Sequence, residues 1–202
     1  MTETDNTLHA PAQTGRHGLA TRLLHMGVAL SVIWQLGVSL IMQGPRGPQP
    51  GDLFFATHSY VGLAAMAVIV LFWANLALRR VGTEHGALFP WFSAERRAAL
   101  WADTRAHLAA LTRLRLPHYD ENAPLASAVH GLGLLLMTLM AATGTLWWFA
   151  APSAAAGAFE IVHKLFANLA WAYLIGHAGL AVIHHLRGEA SLWEMWSLRG
   201  RN

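Results

Sequence analysis

Twelve histidines stand in a chain of 202 residues, and seven of them occupy or border long apolar runs: His25, His58, His130, His163, His177, His184 and His185. An ionisable side chain in such a run is costly and marks a functional site by default. Neutral imidazole serves there as a metal ligand, a proton carrier or a hydrogen-bond partner for another helix. The stretch HKLFANLAWAYLIGH, residues 163–177, has a histidine at each end. On a helix its two imidazoles stand roughly 21 Å apart along the axis and within about 40° of one direction. His184, seven residues further on, keeps to that stripe. One helix thus presents imidazoles at separate depths toward one interior seam, enough to serve two sites.

The elements that must position them are membrane spans. The chain is 54% hydrophobic and 12% charged, about half the charged fraction of a soluble domain. Four windows carry no formal charge: roughly 23–45, 53–78, 125–159 and 165–186. Each is long enough to cross a bilayer as a helix. The third is too long for one span and contains APSAAAG, whose small and turn-forming residues read as a loop. The expectation is an all-α, integral membrane four-helix bundle, residues 19–190, with spans near 19–43, 54–78, 125–149 and 160–186. Residues 1–18 are polar and lack the apolar core of a cleavable signal peptide; they and residues 191–202 read as tails. Cysteine is absent, which excludes disulfides, thiolate-held iron–sulfur clusters and covalently attached c-type haem.

Charge gives the orientation. Of 14 Lys and Arg residues, twelve fall on one side of a four-span bundle. Arg16 and Arg22 precede the first span. Arg79, Arg80, Arg96, Arg97, Arg105, Arg113 and Arg115 lie between the second and third. Arg187, Arg199 and Arg201 follow the fourth, and only Arg46 and Lys164 lie opposite. The positive-inside rule then puts both termini and the loop 79–124 in the cytoplasm. A sequence pI near 10 therefore reflects topology and not a nucleic-acid-binding patch. In the loop, Ser93 is placed to cap a helix. Trp101, Leu108 and Leu111 are expected on an apolar side opposite Arg96, Arg97 and Arg105, lying on anionic membrane lipid; a partner-docking surface is the alternative.

Depth constrains the pairing of histidines. The second span runs inward, so His58 lies outside beside His163, and no other span histidine is there. His25 lies near the inner surface, where His130, His177 and His184 all remain possible partners. His25 is three residues from Arg22 whereas His177 is ten from Arg187, which leans toward His184 or His130. His9, His17, His85, His107 and His118 fall in tails or loops and read as solvated. Zinc prefers thiolates, carboxylates or several histidines in a tetrahedron. A proton relay ordinarily includes Asp or Glu, and these spans offer only Glu160 at an edge. Haem suits two facing imidazoles: its iron takes both, and its apolar face replaces helix packing. Gly62, Gly176 and Gly179 leave room either for a porphyrin plane or for close helix contact. Asn168, Ser59 and backbone carbonyls are the candidates for hydrogen bonds to the ligands.

The stretches ATRLLHMGVAL, THSYVGLAAMAVIVLFWANLAL, PLASAVHGLGLLLMTLMAATGTLW and VHKLFANLAWAYLIGHAGLAVIHHLRG resemble the bacterial cytochrome b561 family over about residues 16–190. The resemblance implies a four-helix protein with two b haems. It implies His58 with His163 as the iron ligands of the outer haem and His25 with His177 as those of the inner. It implies His130 near the inner haem or a quinone, and His184 and His185 on propionates or quinone. Members often carry Lys after the second-span ligand; here Ser59 stands there, and Lys164 follows the fourth-span ligand. The resemblance to superoxide oxidases of this family implies superoxide as electron donor and ubiquinone as acceptor; Lys164, a lone cation beside His163, would attract the anion. A b-type subunit serving a partner dehydrogenase or hydrogenase is the second reading.

Overall fold

The computed structural model describes residues 17–115, 120 and 122–198; Arg16, Arg199, Arg201, His9 and His118 lie outside them. Every element among the described residues is helical, apart from one bridge between Arg46 and Gln49. Four helices are long and apolar enough to cross a membrane: α1 (Leu19–Ser39), α2 (Leu53–Leu78), α5 (Pro124–Ala150) and α6 (Ala154–Leu186). Between α2 and α5 lie α3 (His85–Leu88), a 3-10 turn (Pro90–Phe92) and α4 (Ala94–Thr112). A short α7 (Trp193–Trp196) follows α6.

Local chemistry sets the boundaries. The Asp52 carboxylate accepts the Phe55 amide at 2.8 Å and caps α2. Pro124 opens α5, where a missing amide hydrogen costs nothing. The long third run breaks after Ala150, at the expected APS turn. Helix α6 then begins at Ala154, earlier than residue 160, because Ala154–Ala156 favours helix and carries nothing to stop it.

The bundle packs in a row. Helix α1 lies against α2, α2 against α5, and α5 against α6. Leu36, Ile69, Leu136, Met137 and Ala170 form a core to which all four contribute. Polar bonds fix the neighbours: Asn75 Nδ2 donates to Thr21 Oγ1 and Trp73 Nε1 to Thr138 Oγ1, each at 3.0 Å. Helix α6 packs closely with neither α1 nor α2.

The loop helix α4 is capped as anticipated, with Ser93 Oγ accepting the Arg96 amide at 3.3 Å. It is tied to the bundle by Asp103, whose Oδ2 accepts the Leu125 amide at 2.9 Å at the start of α5. One expectation for this helix fails. Arg105 is not opposite Trp101 but folds over its ring, 5.0 Å from the centroid. Four residues along a helix return to the same face, so the exposed row of Trp101, Leu108 and Leu111 includes a guanidinium. Nor are all loop histidines simply solvated: the exposed His85 meets the Leu76 carbonyl through Nε2, and the half-buried His107 meets Asp103 Oδ1 through Nδ1 at 3.0 Å.

Candidate functional site

Two histidine pairs meet across the bundle, and both bridge helices that do not pack closely. His58 on α2 and His163 on α6 have ring centroids 6.1 Å apart with planes at 87°. His25 on α1 and His177 on α6 stand 6.4 Å apart at 61°. Helix α6 supplies one imidazole to each pair, roughly 21 Å apart by its rise.

The separations suit a shared metal. Two metal–nitrogen bonds of about 2 Å, plus roughly 1 Å from each nitrogen to its ring centre, span about 6 Å. Among the described residues, no three His, Asp or Glu side chains form a metal cage. The donor set is thus two imidazoles per site, the number that fills the axial positions of a haem iron. Nδ1 of His25 and of His58 are buried without hydrogen-bond partners. Orphaned ring nitrogens of this kind call for an explanation, and a ligand bound at the ring is one. The residues present fit haem on these three counts.

At the outer pair the support is polar. Thr143 Oγ1 lies 3.0 Å from His163 Nδ1, and its one proton goes to the Leu139 carbonyl at 2.8 Å. With that proton on a carbonyl of its own helix, Leu139 or Met140, the hydroxyl accepts from His163. Nδ1 therefore carries the hydrogen, and Nε2 keeps its lone pair for a metal. Gln35 Nε2 donates to the His58 carbonyl at 2.8 Å. A Cβ on Gly62 would meet that amide nitrogen at 2.7 Å, so this glycine admits Gln35. Gly176 and Gly179, by contrast, face open space. Ser59 donates to the Phe55 carbonyl at 2.9 Å, along its own helix, and Asn168 is exposed; Thr143 occupies the place expected of them. Nor is Lys164 a lone cation, since Nζ pairs with Glu160 Oε1 at 2.5 Å, one turn back.

At the inner pair the support is aromatic and titratable. The His130 ring lies 5.1 Å from His177, and its Nδ1 meets the Ala126 carbonyl at 2.7 Å. Tyr173 stacks on His177 at 5.3 Å and 7°; its hydroxyl fills the space beside Gly133. Trp196 meets His25 edge-on at 6.5 Å. His184 Nδ1 contacts Glu189 Oε2 at 2.7 Å and His185 Nδ1 the Ala190 carbonyl at 3.3 Å. Hydrogen bonds from His184 and Arg187 hold the Glu189 carboxyl below its usual range. His25 faces His177, the partner that the resemblance implies, whereas the spacing from Arg22 and Arg187 leans to His130 or His184. Arg22 is a poor ruler because it lies inside α1 and reaches back to the Ser197 carbonyl.

Sequence reasoning missed Thr143, Gln35, Tyr173 and Trp196. Gln35 was visible as a polar residue in an apolar span, and Tyr173 as the residue four before a candidate ligand. Nothing in the sequence placed Trp196.

An all-helical bundle with four potential spans, and imidazoles paired between them, defines a membrane protein equipped to hold interior metal cofactors. A family model of prokaryotic cytochrome b561 matches residues 16–198. The chain belongs to that family: it is a transmembrane b-type cytochrome of electron transfer, in a bacterial membrane. No curated protein and no solved structure matches it.

Proposed function

We propose that the protein holds two b haems and passes electrons through them, from superoxide at the outer face to ubiquinone at the inner. His58 and His163 hold the outer haem, and His25 and His177 the inner. The observation that carries this reading is the pair of ring separations, 6.1 and 6.4 Å, at two depths of one helix. Bound haem would supply a one-electron iron couple, with His58, His163, His25 and His177 the residues that would hold it. The chain's own work is to fix ligand tautomers, exclude water and set the spacing between centres.

Two superoxide anions each surrender one electron outside and leave as dioxygen. Ubiquinone gains those two electrons and two protons from the cytoplasm and becomes ubiquinol. His130, His184 and His185 line the inner end where the quinone binds, and the His184–Glu189 pair holds a proton at Nδ1 there. The arginine bias supports N-in, C-in orientation in the inner membrane, with α4 along its lipid surface.

One observation favours the second reading, a cytochrome subunit for a partner dehydrogenase or hydrogenase. The Lys164–Glu160 ion pair cancels much of the positive field that would attract superoxide. Purified protein reduces ubiquinone when superoxide is generated in its presence if the first reading holds. Two b haems per chain without that reduction select the second. Colourless protein rejects both.

A further inference from the structure

Residues 188–198 turn back after α6. Gly188 has φ +72°, the left-handed conformation that closes a helix and that glycine adopts without a Cβ clash. The amides of Gly188 and Glu189 bond back to the carbonyls of His185 and His184 at 3.0 and 2.9 Å. Glu189 then receives His184 Nδ1 at 2.7 Å and Arg187 Nε at 2.6 Å, which locks the reversal. The chain is turned toward α1, and α7 packs against that helix.

Two contacts set its position. An Arg22 guanidinium nitrogen donates to the Ser197 carbonyl at 3.0 Å. Trp196, the preceding residue, stands edge-on to the His25 ring at 6.5 Å and 83°. Arg22 lies one helical turn before His25, so a clamp on Ser197 places the indole beside that ring. His25 is thereby flanked by His177 on one helix and by Trp196 from the returning chain.

We propose that residues 188–198 form a wall of the inner haem site, with Trp196 the side chain that keeps cytoplasmic water from the His25–His177 pair. The proposal rests on the two-haem reading given above. Oxidised haem iron carries one more positive charge than reduced, and water stabilises that charge. Excluding water therefore raises the potential of the inner centre.

The test is a redox titration of the full-length purified protein beside Trp196→Ala, Trp196→Phe and Arg22→Gln. In Trp196→Ala the inner centre shifts to lower potential while the outer one stays, and Trp196→Phe returns most of the shift. Arg22→Gln moves the inner centre in the same direction. An unshifted inner potential in Trp196→Ala overturns the proposal, as does an equal shift of both centres. Docking of the segment is read without haem, because the chain has no cysteine to compete with a nitroxide at Ser197→Cys. That label is immobilised in the full-length chain and freed by Arg22→Gln. A label mobile before that substitution sinks the wall while leaving the two-haem reading standing; loss of haem from the unaltered protein sinks the reading itself.

Discussion

The two histidine pairs share a helix and nearly the same ring separation, yet their surroundings differ in kind. The groups bonded to His58 and His163 carry no ionisable protons: the Thr143 hydroxyl at the His163 ring and the Gln35 amide on the His58 carbonyl. Around His25 and His177 they are aromatic or titratable: His130, Tyr173 and Trp196, with His184 and Glu189 at the end of α6. The first environment offers the His163 ring a hydroxyl and little else. The second brings proton-carrying groups close to a ligand pair. A one-electron exchange with a small anion needs only the first; a quinone that takes up protons needs the second.

The sharpest break in this comparison is removal of ligands. His163→Ala should cost one haem of two and leave the inner centre's spectrum unchanged, and His177→Ala should do the reverse, both read by haem per chain. A variant that keeps both haems refutes the pairing.

Next in size are two glycines. Gly133→Ala drives a Cβ into the rigid Tyr173 ring beside His177 and should cost about 1–3 kcal/mol, the range for overpacking. Gly62→Ala meets only the movable end of Gln35 and should cost roughly one hydrogen bond, about 1 kcal/mol. Thermal unfolding in detergent measures both, and a larger loss at Gly62 contradicts the structure.

Thr143→Val removes the acceptor from His163 Nδ1. A less basic ligand favours reduced iron, so the outer potential should rise by roughly 20–60 mV, from a net hydrogen bond of about 0.5–1.5 kcal/mol. Redox titration should show the inner centre unmoved.

The smallest effect falls at the surface. Glu160→Gln frees Lys164 and should raise the rate with superoxide only a few-fold, an effect that salt abolishes. No change at low salt separates Lys164 from superoxide capture and favours the partner-subunit reading.

Much of this was legible beforehand where chemistry is periodic or local. Charge-free windows predict spans because lipid leaves backbone polar groups no partner but a helix. The fourteen-residue interval from His163 to His177 predicts two depths on one face because helical rise and twist are constant. The Ser93 cap is a contact within one turn. The face of Arg105 belongs with these local features, since four residues from Trp101 along a helix is the same side.

Contacts between distant segments were not legible. No spacing rule links Thr143 to His163, Gln35 to the His58 carbonyl or Trp196 to His25, and each depends on how helices lean and where the chain turns back. The sequence by itself determined a four-span helical cytochrome and which imidazoles could face inward, because those follow from bilayer thickness and helix geometry. Tertiary structure decided how the rings sit, with His25 6.4 Å from His177, that the Thr143 hydroxyl lies at Nδ1 of His163, and that α7 returns to pack against α1. Packing fills space in three dimensions, and linear order carries no record of which side chains it brings together.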